Sequence, residues 1–279
     1  MENQRNNQRG RILASVIVTI AVIAVAVFVT VSLLRKEAEA SPVTPTTQAG
    51  AEFIREKEAV PAASVEQRIQ EEEQAKLDEA RLSEMLSDPD SIFSAFRENN
   101  IVLVGESRTS GFTYYNWLDD SNFLGGVGWS VLEVPSLFDQ IEDLQPSILV
   151  FCFGINEMPR EEGMAVEISS PEIYMETLQK DFDIIEKSVP DVKIYVNCIV
   201  PCTEVGYSEA PGFRAIPEWN KYIEKYCKEH GYGYIDISDI CAEHEDMYIS
   251  DGMHVVGEFY PLWGARILET IFRPDEDSK

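Results

Sequence analysis

Ile101-Val102-Leu103-Val104-Gly105-Glu106-Ser107 is the stretch on which the reading of this chain turns. Four branched or aliphatic residues in a row, closed by a glycine, have the composition of a strand buried on both faces, as in a parallel sheet. Arg108-Thr109-Ser110-Gly111 is small and polar and leads into residues 112–118, which can be helical. A serine at the carboxyl end of a buried strand, just ahead of a helix, stands where open α/β sheets bind ligands. Its backbone N–H also points out at the amino end of the helix, where negative charge is favoured. A serine in this place also serves to cap a helix, so Ser107 alone leaves both readings open.

Downstream, apolar strand-like runs alternate with helical patterns. Residues 147–153 form a second apolar run ending at Gly154, and 171–188 have helical periodicity behind Ser170-Pro171. Residues 192–200 read as a strand ended by Pro201, 216–229 as a helix ended by Gly231, 232–237 as a strand and 258–272 as the last helix. Such alternation predicts a parallel sheet with helices on both faces. The segment 201–214 leaves a strand end as a long loop, either a pocket wall or flap or a plain surface excursion.

Upstream the composition changes. Residues 12–34 carry no charge and are long enough to span a bilayer as a helix. Arg5, Arg9 and Arg11 precede them, which predicts a cytoplasmic tail over 1–11 and everything after the span outside. The competing reading is a signal peptide cleaved after Ala38-Glu39-Ala40, against which stands an apolar core longer than the usual ~15 residues. Residues 35–63, rich in Ala, Thr, Pro and Glu, read as a linker. Residues 64–98 read as spacer helices. Ser64-Val65-Glu66-Gln67 has a capping-box pattern, and the run to about residue 86 would be a solvated helix about 30 Å long. Asp88-Pro89 then reads as an N-cap and first helical residue.

Residues 97–279 hold 13 basic and 34 acidic side chains, a net −21, which excludes binding of nucleic acid through the general field. Five cysteines make no disulfide framework in a domain of this size, and Cys152 and Cys198 lie in apolar runs as buried thiols. Cys198 and Cys202 have no accompanying Cys/His pair, so no metal site is expected.

Four short pieces are read as strand-end pieces: Gly105-Glu106-Ser107, Gly126-Val127-Gly128, Gly154-Ile155-Asn156-Glu157 and Asp251-Gly252-Met253-His254. Acyl transfer by a serine needs a base for its proton, a carboxylate to orient that base, and donors for the oxyanion. Of three histidines, His230 sits beside Gly231 at a helix end and His244 lies in an acidic, solvated stretch. His254 remains as the best base, three residues after Asp251, whose carboxylate can hold one ring nitrogen. Asn156 and Gly128 also fit as ordinary turn residues.

Together and in this order, the pieces resemble the SGNH (GDSL-type) hydrolase family, whose blocks run Gly-Asp-Ser, Gly, Gly-x-Asn-Asp and Asp-x-x-His. The resemblance covers about residues 99–273 and places a hydrolase domain over 99–275. It implies an α/β fold, a three-layer α/β/α sandwich on a mainly parallel, flavodoxin-like sheet. It implies Ser107 as nucleophile, His254 as base and Asp251 as its partner, with an oxyanion hole from Ser107 N–H, Gly128 N–H and the Asn156 amide. Gly126 is the fallback for Gly128. The activity implied is hydrolysis of an ester or of an acylated carbohydrate, with no metal or organic cofactor. An envelope O-acetyltransferase and a non-catalytic glycan- or protein-binding domain are the alternatives. With the apolar span, the expected setting is extracytoplasmic, joined to the membrane through the N-terminal helix.

Glu106 and Glu157 both stand where the family usually has Asp, one methylene longer. Arg108 is expected to pair with one of them. Phe112, Tyr114, Tyr115, Trp117 and Trp129 are expected mostly in the core, with one or two lining a pocket where a sugar ring could stack.

Overall fold

Asp88 accepts the Ser91 backbone N–H at 2.9 Å, and Pro89 follows with its φ already set for a helix. This cap starts the helix that delivers the chain to the sheet. The computed structural model describes residues 49–53, 62–161 and 164–273. It divides into two units, Met1–Glu71 and Glu72–Lys279. In the first, residues 49–53 are helical, and α1 (Ala62–Met85) begins there and ends in the second. The proposed span at 12–34 and most of the linker lie outside the described residues. Among the described residues no helix is long and apolar enough to cross a membrane.

The second unit is built on five strands: β1 (Ile101–Gly105), β2 (Phe123–Gly125), β3 (Ile148–Cys152), β4 (Lys193–Asn197) and β5 (Gly233–Ile235). They lie in the order β2-β1-β3-β4-β5, and every pairing is parallel. This is the flavodoxin-like order, whose switch point falls between β1 and β3. In register, Gly105 lies opposite Gly125 on one side and Cys152 on the other, so three strand ends meet at one edge.

Strand periodicity divides the core. Val102, Val104, Leu149 and Phe151 face one side, where α4 (Phe138–Leu144), α5 (Pro171–Ser188) and α7 (Ile216–His230) bury Ile141, Phe182 and Ile223 against them. Ile101, Leu103, Ile148 and Val150 face the other, covered by α2 (Pro89–Glu98), α3 (Ser107–Tyr114), α8 (Ser238–Glu243) and α9 (Tyr260–Phe272). There Phe93, Phe112 and Trp263 pack as a buried aromatic group. The result is the expected three-layer α/β/α sandwich.

Several local expectations need correction. Helix α1 begins at Ala62, so Ser64 is its third residue and not its cap. Its last turns are not a solvated spacer, because Leu82 and Met85 are buried among Ile92, Phe96 and Trp263. The helix after β1 starts at Ser107 and ends at Tyr114, earlier than the aromatic run suggested. Strands β4 and β5 are shorter than their apolar runs, and α9 is entered through a 3-10 turn at Gly257–Phe259. The segment 201–214 is not loop throughout: it holds α6 (Glu204–Glu209) and most of a 3-10 turn at Pro211–Ala215. All five cysteines are free and buried, Cys152 and Cys198 among them as expected.

Candidate active site

Ser107 is carried past the end of β1 and becomes the first residue of α3, so its N–H has no carbonyl one turn behind it. The turn is held by Glu106, the N-cap of α3, whose side chain accepts the Arg108 N–H at 3.1 Å. Arg108 pairs with Glu106, Nε to Oε1 at 2.9 Å, and donates a second bond to the Val200 carbonyl at 2.6 Å. The expected ion pair is therefore with Glu106 and not with Glu157, and both partners are buried.

His254 comes from the loop before α9, about 150 residues further along the chain. Tyr248 and Val255 bridge as a short antiparallel pair, and Ile249 N–H donates to His254 O at 2.9 Å. Gly252 turns that loop at φ +68, a conformation an L side chain rarely takes, and its carbonyl accepts the Thr203 N–H at 2.9 Å. The head of the 201–214 segment thus braces the histidine turn. Asp251 Oδ1 accepts the Met253 and His254 N–H groups at 2.8 and 3.0 Å, while Oδ2 meets His254 Nδ1 at 2.7 Å. Partial burial raises the Asp251 pKa, but the two backbone donors and the His254 ring outweigh it and hold it below the ordinary value. With the carboxylate ionised, Nδ1 carries the ring proton and Nε2 is left as an acceptor. Nε2 lies 3.0 Å from Ser107 Oγ. The structure therefore joins Ser107, His254 and Asp251 in one hydrogen-bonded chain. The two side chains that follow Ser107 in it are about 40 % exposed, open to water.

The oxyanion candidates surround the same edge. Gly128 lies in the turn after β2 at φ +79, and its N–H has no acceptor among the described residues. Gly126, the fallback, donates its N–H to Gly105 O at 3.2 Å and so is not free for a ligand. Asn156 follows β3; one hydrogen of its amide goes to Trp129 O at 2.7 Å, leaving the second. Glu157 beside it accepts the Val131 N–H at 2.7 Å. Asn156 and Glu157 together therefore tie the Gly128 turn to the end of β3. Glu157 is 3 % exposed and its Oε2 has no hydrogen-bond partner among the described residues. Burial pushes its pKa up to about 7 against the opposing Val131 N–H.

Of the aromatic run, Phe112 is core, as expected, and Trp117 donates Nε1 to Gly257 O at 2.9 Å. Tyr114 is not core: it is 78 % exposed, with Tyr115 packed edge-on against it. His230 bonds Tyr226 O and stacks on that ring, and His244 caps α8. What the sequence reading missed is the Glu106 contact to Ser107 Oγ at 2.9 Å and the buried support from Asn122, whose amide donates to Ile101 O. The first had a signal, the added methylene at 106; the second had none.

Residues 103–260, more than half the chain, match the GDSL-like lipase/acylhydrolase family, to which the chain belongs. It is a serine esterase of that class. Among solved structures, a GDSL-like lipase from Bacteroides thetaiotaomicron VPI-5482 is similar in fold, at 18 % identity and TM-score 0.50, over 63 % of this chain and 89 % of that one. A lipase/acylhydrolase from Enterococcus faecalis is 17 % identical at TM-score 0.47, over 62 % of this chain and 95 % of its own. A carbohydrate esterase family 3 protein from Talaromyces cellulolyticus is 16 % identical at TM-score 0.46, over 64 % of this chain and 99 % of its own. No curated protein matches the sequence.

Proposed function

We propose that the chain hydrolyses an O-acyl ester of a carbohydrate through an acyl-enzyme on Ser107, outside the cytoplasm and held at the membrane by residues 12–34. The carrying observation is the chain of contacts from Asp251 Oδ2 to His254 Nδ1 at 2.7 Å and from His254 Nε2 to Ser107 Oγ at 3.0 Å. Ser107 Oγ attacks the ester carbonyl while its proton passes to Nε2. The Asp251 carboxylate stabilises the imidazolium so formed. The oxyanion is met by Ser107 N–H, Gly128 N–H and the unused hydrogen of the Asn156 amide. His254 then protonates the departing alcohol, and a water activated by the same ring releases the acyl group. The exposure of His254 and Asp251 gives that water access, which favours hydrolysis over transfer to a second alcohol. The exposed Tyr114 and Tyr115, at the end of the helix that Ser107 begins, suit a sugar ring better than a long acyl chain.

The test is turnover of a short activated ester and of an acetylated oligosaccharide, beside Ser107→Ala. Activity that survives in a folded Ser107→Ala protein would remove the nucleophile assignment. Activity on long-chain esters alone would remove the carbohydrate. For location, protease added to intact cells should release the domain by cutting within 35–63; a domain protected until lysis would reverse the orientation.

A further inference from the structure

Glu106 touches the reacting hydroxyl. Its carboxylate is buried, 1 % exposed, and both oxygens are engaged. Oε1 accepts Arg108 Nε at 2.9 Å; Oε2 accepts the Arg108 backbone N–H at 3.1 Å and the Ser107 hydroxyl at 2.9 Å. Arg108 is itself tied to Val200 O, so the carboxylate is held from behind. From the other side His254 Nε2 reaches the same Oγ at 3.0 Å. A serine hydroxyl has one proton, and here two acceptors stand within reach of it. Asp251 takes up His254 Nδ1 and leaves Nε2 facing the hydroxyl, whereas Glu106, paired with the Arg108 guanidinium, offers a carboxylate oxygen. Charge-assisted bonds of this kind are roughly twice as strong as neutral ones.

Resting on the reading of Ser107 as nucleophile, we propose that Glu106 is a positioning residue that competes with His254 for the Ser107 proton and holds the nucleophile in a resting state. In that state the O–H points at Glu106 Oε2, and attack requires it to turn to Nε2. Bond formation is otherwise unchanged: Oγ joins the carbonyl carbon, and its proton goes to His254. Glu106 takes no proton and forms no bond to substrate. The added methylene of glutamate makes the contact possible. An aspartate at 106 could still cap Arg108 N–H, but its carboxylate would sit one carbon short of Oγ.

The test is Glu106→Asp, which keeps the charge beside Arg108 and withdraws the oxygen from Ser107. The readouts are the rate of irreversible labelling by a fluorophosphonate, kcat/KM on a short activated ester, and thermal unfolding, each beside wild type and Ser107→Ala. Labelling and kcat/KM should both rise by about 10-fold, which is about 1.4 kcal/mol of barrier. A purely structural glutamate would not give faster labelling; it would give a lower melting temperature with equal or slower labelling. A folded Glu106→Asp protein that labels at the wild-type rate or more slowly overturns the proposal, provided Ser107→Ala does not label. Labelling of Ser107→Ala would instead overturn the nucleophile assignment beneath it. Neutron diffraction on the unmodified protein decides the point without any variant: the serine deuterium should lie between Oγ and Glu106 Oε2. Density for it on the line to His254 Nε2 would sink the idea.

Discussion

Glu157→Gln is the substitution whose effect can be worked furthest from the structure. The Glu157 carboxyl is buried, one oxygen accepts the Val131 N–H, and the other has no partner among the described residues. Burial raises its pKa from the ordinary glutamate value of 4.5 to about 7. The folded state then holds a proton that the unfolded chain has already released, over the window from about pH 4.5 to about pH 7. Stability from this group is therefore fully present below 4.5 and is lost as pH rises through 7. At ~1.4 kcal/mol per pH unit the loss is on the order of 3 kcal/mol by pH 8. Glutamine has the same shape, still accepts the Val131 N–H and cannot ionise. Denaturant unfolding, followed by tryptophan fluorescence at pH 5 and pH 8, measures the difference between wild type and variant. Other titrating groups, such as the buried Asp181, cancel in that difference. The two proteins should be close in stability at pH 5, and the variant more stable by about 2–3 kcal/mol at pH 8. The same stability gap at both pH values would show that Glu157 does not carry a proton in the fold.

Three further outcomes follow from the site. Ser107→Ala and His254→Ala should each remove nearly all turnover of a short ester, and the double variant should be little worse than either, because the two act as one unit. Asp251→Asn should be milder than either in kcat, since the ring keeps a partner at Nδ1 but loses the charge that stabilises its protonated form. Asn156→Ala should lower kcat by about 10²–10³. It should also loosen the Trp129 turn, visible as faster hydrogen exchange there, and an unchanged kcat would reduce Asn156 to a tie between strand ends.

The sequence by itself determined the inner strands of the sheet. Uninterrupted apolar runs at 101–105 and 148–152 cannot be solvated on either face, so they become inner parallel strands, and the helices before and after them follow from periodicity and from caps such as Asp88 and Ser170. Block order also made Ser107, Asp251 and His254 legible as a set, since three strand ends and the turn before the last helix must converge on one edge of such a sheet. Tertiary structure alone decided the rest. Strand β2 is three residues long and owes its existence to pairing with β1, a partner invisible to local periodicity. Gly126 and Gly128 look alike in the sequence, and only the bond from Gly126 N–H to Gly105 O leaves Gly128 as the donor without an acceptor among the described residues. The end of α1 becomes core because α2 and α9 pack on Leu82 and Met85. Whether the longer side chain of Glu106 would turn to Arg108 alone or reach Ser107 as well depended on where the Val200 carbonyl anchors that arginine. Contacts between residues about 90 positions apart are set by how the layers close, and no local pattern in the chain encodes them.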